Sequence, residues 1–127
     1  MTNETKASGM MEASVNGMLF QAAGFWGMED SYALTVRALT SSSAQQPMMI
    51  ALRIPLTFTG PSHPIEPVEN QKVSASIGFG GSGANDAYSG EIADLVWDQA
   101  NGNISGTFDF DAIGAQVRGG RFDIAYK

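Results

Sequence analysis

The sequence predicts an all-β protein: a single antiparallel domain of about eight strands, either a two-layer β-sandwich or, as the alternative, a small β-barrel. Three observations predict this. Apolar side chains recur with a period of two along most of the chain, as they do in half-buried strands. Short clusters of Gly, Asn, Asp and Pro break that alternation at strand-length intervals. No stretch of ten or more residues carries a helical period.

The elements follow in order. "MEASV" (11–15) sets Met11, Ala13 and Val15 on one face and Glu12 and Ser14 on the other. Asn16-Gly17 is a hairpin signal, because both residues tolerate positive φ. "MLFQAAGFW" (18–26) is the return strand, and "GMEDS" turns it. "YALTVRA" (32–38) alternates Tyr32, Leu34 and Val36 against Thr35 and Arg37, and "SSSAQQP" (41–47) is a loop. "MMIALRIPLTF" (48–58) is a long strand with Met48, Ile50, Leu52, Ile54, Leu56 and Phe58 on one face. Pro55 cannot donate to a ladder and marks an edge or a bulge.

"TGPSHPIEPVENQ" (59–71) reads as an irregular connection. "KVSASIGF" (72–79) puts Val73, Ala75, Ile77 and Phe79 together, and "GGSGAND" (80–86) is a loop. "AYSGEIADLVW" (87–97) is a strand with imperfect alternation, turned by "DQANGN". In "ISGTFDFDA" (104–112), Ile104, Phe108 and Phe110 face the core, and Ser105, Thr107, Asp109 and Asp111 face water. In the last strand Val117 has one parity and Phe122, Ile124 and Tyr126 the other. The phase slips at Gly119-Gly120, the signature of a β-bulge.

A chain of 127 residues suggests one domain, placed over residues 10–127, with the polar "MTNETKASG" (1–9) as a flexible lead-in. The net charge of −6 and only 7 Lys plus Arg argue against nucleic acid and against anionic membrane surfaces as partners. With no cysteine there are no disulfides and no thiolate metal sites. No apolar run is long enough to span a bilayer as a helix.

Groups that carry chemistry are sparse. His63, the one histidine, sits in "PSHP" and reads as an exposed loop residue. Asp109 and Asp111 share a face, and Asp98 or Asp123 would supply a third carboxylate to a metal. Alternation with Phe108 and Phe110 explains the pair more simply, as the wet side of a strand. The glycines of "GFGGSGAND" lack the following helix and the Lys of a phosphate loop. No catalytic residue, cofactor or metal site is therefore assigned. The candidate binding patch is Phe25, Trp26 and Met28 in "GFWGMED", read as aromatic and Met side chains at a loop or strand end.

"MEASVNGMLFQAAG" near the start, with "YSGEIADLVWDQANGNISGTFDFDA" and "VRGGRFDIAY" near the end, resembles a family of small exported all-β proteins of Bacteroidetes-type bacteria, many of them lipoproteins. The resemblance implies an all-β cell-envelope protein, periplasmic or at the cell surface if a signal peptide has been removed and cytoplasmic otherwise. It brings no catalytic residues. Together the readings point to a non-enzymatic module that binds a protein or serves structure. The alternative is a calycin-like carrier holding a small apolar ligand inside a β-barrel.

Overall fold

The computed structural model describes residues 3–41, 47–58, 60–67, 72–80 and 83–127. These form ten strands and no helix: β1 (Asn3–Val15), β2 (Met18–Gln21), β3 (Gly24–Glu29), β4 (Ala33–Leu39), β5 (Met48–Pro55), β6 (His63–Pro64), β7 (Ser74–Phe79), β8 (Ala84–Asp98), β9 (Asn103–Ala112) and β10 (Ala115–Ala125). Among the described residues no helix is long and apolar enough to cross a membrane.

Chain neighbours pair antiparallel, as short turns favour. β2 and β3 behave as one strand kinked at Ala22-Ala23. β2 answers the second half of β1 (Val15↔Met18 to Glu12↔Gln21), and β3 answers the first half (Ala7↔Phe25 to Asn3↔Glu29). The last strand then returns to the first, from Ser8↔Ala125 to Val15↔Val117. That pairing closes the sheet into an eight-stranded barrel of β1, β3, β4, β5, β7, β8, β9 and β10. The sandwich reading is corrected to the barrel. Closure satisfies the backbone groups that two stacked sheets would leave open along their edges.

Two long strands turn the corners. Residues 3–7 of β1 pair with β3 and residues 8–15 with β10. Residues 84–86 of β8 pair with β7, and residues from Ala87 to Asp98 with β9. Gly9 (φ 135°) and Gly90 (φ 153°) lie just past these bends. A Cβ at Gly9 would strike the Asp123 carbonyl, and one at Gly90 would strike the Asp109 carbonyl. Only glycine combines that φ with that approach.

Bulges explain the imperfect alternation of 87–97. One falls between Ala87 and Ser89, at Tyr88, and a second between Ala93 and Val96, where Asp94 has a φ of 51°. The phase slip read at Gly119-Gly120 is a bulge between Val117 and Gly120. β6 fills the edge of β8 that the shorter β7 leaves uncovered, through His63↔Ile92 and a 2.9 Å bond from Ile65 N to Gly90 O. Pro55 ends β5 and is matched only on the β4 side, opposite Ala33.

The lead-in expected over 1–9 is also corrected, because β1 starts at Asn3; residues 1 and 2 lie outside the described residues. A polar stretch can form a strand here because β3 supplies the ladder, and Ala7 reaches the core. The loops expected at 41–47 and 80–86 fall partly on residues 42–46, 81 and 82, which are outside the described residues, while 84–86 belong to β8. The interior holds Met11, Phe20, Leu34, Ile50, Leu52, Ile92, Phe108 and Phe110, all fully buried. Phe108 packs on Phe110 and Phe122 at ring separations of 6.2 and 6.0 Å.

Candidate functional site

The barrel's two ends differ in chemistry. One end carries the connections at 16–17, 40–47, 80–83 and 113–114, reading NG, TSSSAQQP, GGSG and IG; none contains a charge. The other end carries Asp30, Glu66 and Lys72 in its connections, with Glu29, Asp98 and Lys127 at the strand ends. On the uncharged end Ile113 stands 76% exposed.

At that end the described residues form an open cleft of about 500 Å³ where β4, β5, β7 and β8 terminate. One side is a cross-strand row, Leu39–Met49–Gly78–Ala84, set by the register of four strands. These residues share the outward parity of Thr35 and Arg37 on β4. The rim itself adds Met48, which is buried, and its partner Phe79, which packs partly against the core. Two consecutive methionines thus serve both faces of β5, one inward and one outward. Gly78 supplies no side chain to the row, which leaves the floor low between Met49 and Ala84.

Hydrogen bonds hold the cleft's margin. Thr40 Oγ1 accepts from Met48 N at 2.9 Å and donates to Met48 O at 3.3 Å. Gly80 N donates to Pro47 O at 2.9 Å, tying the two connections together. The Thr40 hydroxyl is occupied in this way, and no lining residue is charged. The arrangement suits contact with an uncharged apolar group. A ligand that buries about 200 Å² of apolar surface there gains roughly 5 kcal/mol before the costs of association.

The patch read from sequence is partly redistributed. Phe25, Trp26 and Met28 lie within β3, not at a loop. Phe25 is 5% exposed and belongs to the core, so it offers no surface. Trp26 and Met28 are half-buried on the outward side. The six-membered ring of Trp26 covers Gly24, and Gly24 pairs with Leu39, so Trp26 sits one strand away from the cleft.

His63 is also corrected. It is half-buried in β6, opposite the core residue Ile92, and its ring stacks on Phe58 at 4.5 Å. Its Nε2 is buried and has no hydrogen-bond partner among the described residues. Asp109 and Asp111 serve the β10 bulge. Asp109 Oδ1 accepts from Gly119 N at 3.0 Å, and Arg118 Nη2 reaches Asp111 Oδ1 at 2.8 Å. Among the described residues no three His, Asp or Glu side chains gather as a metal site.

At the charged end Trp97 Nε1 donates to Tyr126 Oη at 2.9 Å. Burial pushes the Tyr126 hydroxyl above its usual pKa, against the lowering effect of that bond and with the help of Glu29 and Asp98. Asp98 is held below the usual carboxylate range by the side chain and backbone amide of Asn101, and Asp30 by the amides of Tyr32 and Ala33.

Sequence reasoning assigned Met48, Met49 and Phe79 to strands, ended the strand before Leu39, and did not group the four, whereas β4 runs on to Leu39. The available signal was the tandem Met48-Met49 beside two uncharged loops. Comparison of the chain with family models, with curated proteins and with solved structures finds no match.

Proposed function

We propose that this barrel is a non-enzymatic binding module that takes a small uncharged apolar molecule, or the apolar end of a larger one, at the rim cleft. The observation that carries the proposal is the cleft of about 500 Å³, lined by Leu39, Met48, Met49 and Phe79 without a charged side chain. That volume falls in the range of small-molecule sites, roughly 300–1,000 Å³. Among the described residues, aromatic and branched side chains point into the barrel, and the rim cleft supplies the open volume on which the carrier reading is placed.

Titration with decanol, read by amide NMR, tests this. Shifts are expected at Gly78, Gly80 and Ala84, with decanoate binding more weakly because the cleft offers its carboxylate no partner. Met49→Glu should abolish the shifts. No response up to the solubility limit of decanol, or shifts confined to the charged end, would overturn the reading.

A cell-envelope location belongs to the same proposal. Its support is the strand-and-turn resemblance at both ends of the chain. Fractionation of cells expressing the whole gene tests it, and recovery only from the cytosol would count against it.

A further inference from the structure

The row that borders the rim cleft does not stop at Leu39. Register carries it one strand further, to Gly24 of β3, so it reads Gly24–Leu39–Met49–Gly78–Ala84. These positions lie on one wall of the barrel, between the bends of β1 and β8. None carries a charge. The next row of the same outer face, two residues along each strand, is Trp26–Arg37–Ala51–Ser76–Asp86 and holds both signs. An apolar ligand is therefore guided across the strands, because lying along them would desolvate Arg37 and Asp86.

Trp26 belongs by its backbone to the charged row, but its ring leaves it. A Cβ built at Gly24 would stand 3.3 Å from two carbons of the six-membered ring. The ring thus covers the β3 end of the apolar row, in the place that a side chain at position 24 would take. Gly24 pairs with Leu39, and Leu39 lines the cleft.

We propose, on the basis of the rim-cleft reading, that Trp26 is the end wall of that site. Its ligand is one unbranched alkyl chain, laid across the strands from Ala84 to the indole. Strands are about 4.8 Å apart, so the cleft from β4 to β8 spans about 14 Å and the row as far as β3 about 19 Å. An extended chain advances about 1.3 Å per carbon, from bonds of about 1.5 Å. About eight carbons fit within the cleft, and about fourteen bring the chain to the ring. The site thereby measures length. A chain in an open cleft buries about half of its own surface, so affinity rises roughly twofold with each carbon until the indole is reached.

Alkyl maltosides below their micelle concentrations, with octyl to tetradecyl tails, test this, and maltose alone controls for the head. Amide and indole NMR reads the binding. Every tail should shift the Gly78, Gly80 and Ala84 amides, as the rim cleft alone requires. Only the dodecyl and tetradecyl tails should move the Trp26 indole N–H. That of Trp97, bonded to Tyr126 at the charged end, should stay still. Trp26→Ala, with the wild-type circular dichroism, should bind octyl maltoside as wild type does. It should bind tetradecyl maltoside about tenfold more weakly, since about three carbons lose the ring. Trp26→Phe should recover most of that loss. The wild-type indole signal decides the matter even where Trp26→Ala does not fold. Cleft amides that shift with tetradecyl maltoside beside a silent Trp26 indole would overturn the proposal and leave the rim cleft standing. Equal affinity for octyl and tetradecyl tails would do the same. Silence of the cleft amides with every tail would remove both.

Discussion

Tyr126 closes the charged end of the barrel with its hydroxyl on the indole of Trp97. Burial raises its pKa, so the folded state holds the phenolic proton more tightly than the unfolded chain does. That contribution is complete below the unfolded value, near pH 10, and is lost as pH rises through the raised folded value. Tyr126→Phe leaves the indole N–H without its partner and should cost about 1 kcal/mol at pH 8. The gap to wild type should narrow by pH 11, as wild type sheds a term the variant never had. Urea melts at the two pH values check this, and a gap that widens would contradict it. Asp30 and Asp98 act in the opposite direction. Their lowered pKa values give stability that is present above about pH 4 and fades below it. The residue scale was only partly legible in the sequence. Parity correctly put Phe108 and Phe110 inside and Asp109 outside. It failed for His63 because β6 is two residues long, too short for alternation to declare a face.

Strands were legible wherever one face is buried and the ladder is regular, as in β4, β5 and β9. They were illegible where a polar stretch is held by a neighbour's ladder and not by an apolar face of its own, as in the first residues of β1 beside β3. The bulge at Gly119 was visible as a parity slip, because Val117 and Phe122 both had to face the core. The bends at Gly9 and Gly90 left no such trace, since a glycine in a strand looks the same whether the strand is flat or bent. Gly90→Ala sets a Cβ against the Asp109 carbonyl and within 2.6 Å of Phe110 Cβ, at a φ that L-residues avoid. Strain and overpacking together should cost about 2–4 kcal/mol. Gly114→Ala makes a control, because it shares a positive φ but meets no atom within 4 Å. Denaturant midpoints should rank Gly90→Ala well below Gly114→Ala. Equal midpoints would mean that the bend at Gly90 relaxes without cost.

Closure was not legible at all. A barrel and a sandwich demand the same in-and-out alternation, and they differ only in whether the first and last strands meet. Here they meet, Val15 with Val117 and Ser8 with Ala125, across about the whole length of the chain. Local pattern holds no information about a pairing that distant. The uncharged end was legible only in retrospect. Its four connections are separated in sequence, and antiparallel pairing alone brings them to one side.

Because β10 is the piece that joins both β9 and β1, a ring one strand short of complete leaves a ladder edge open on each of them. During synthesis, a nascent chain that has not yet released residues 115–125 from the ribosome displays two raw margins, β9 and the outer side of β1. Such a species needs a chaperone or rapid completion to escape clumping. A chain truncated after Gly114 should therefore be recovered in inclusion bodies. Adding the peptide 115–127 in trans during refolding should restore soluble protein, and a truncated chain that is soluble and cooperatively folded alone would show that the keystone is dispensable.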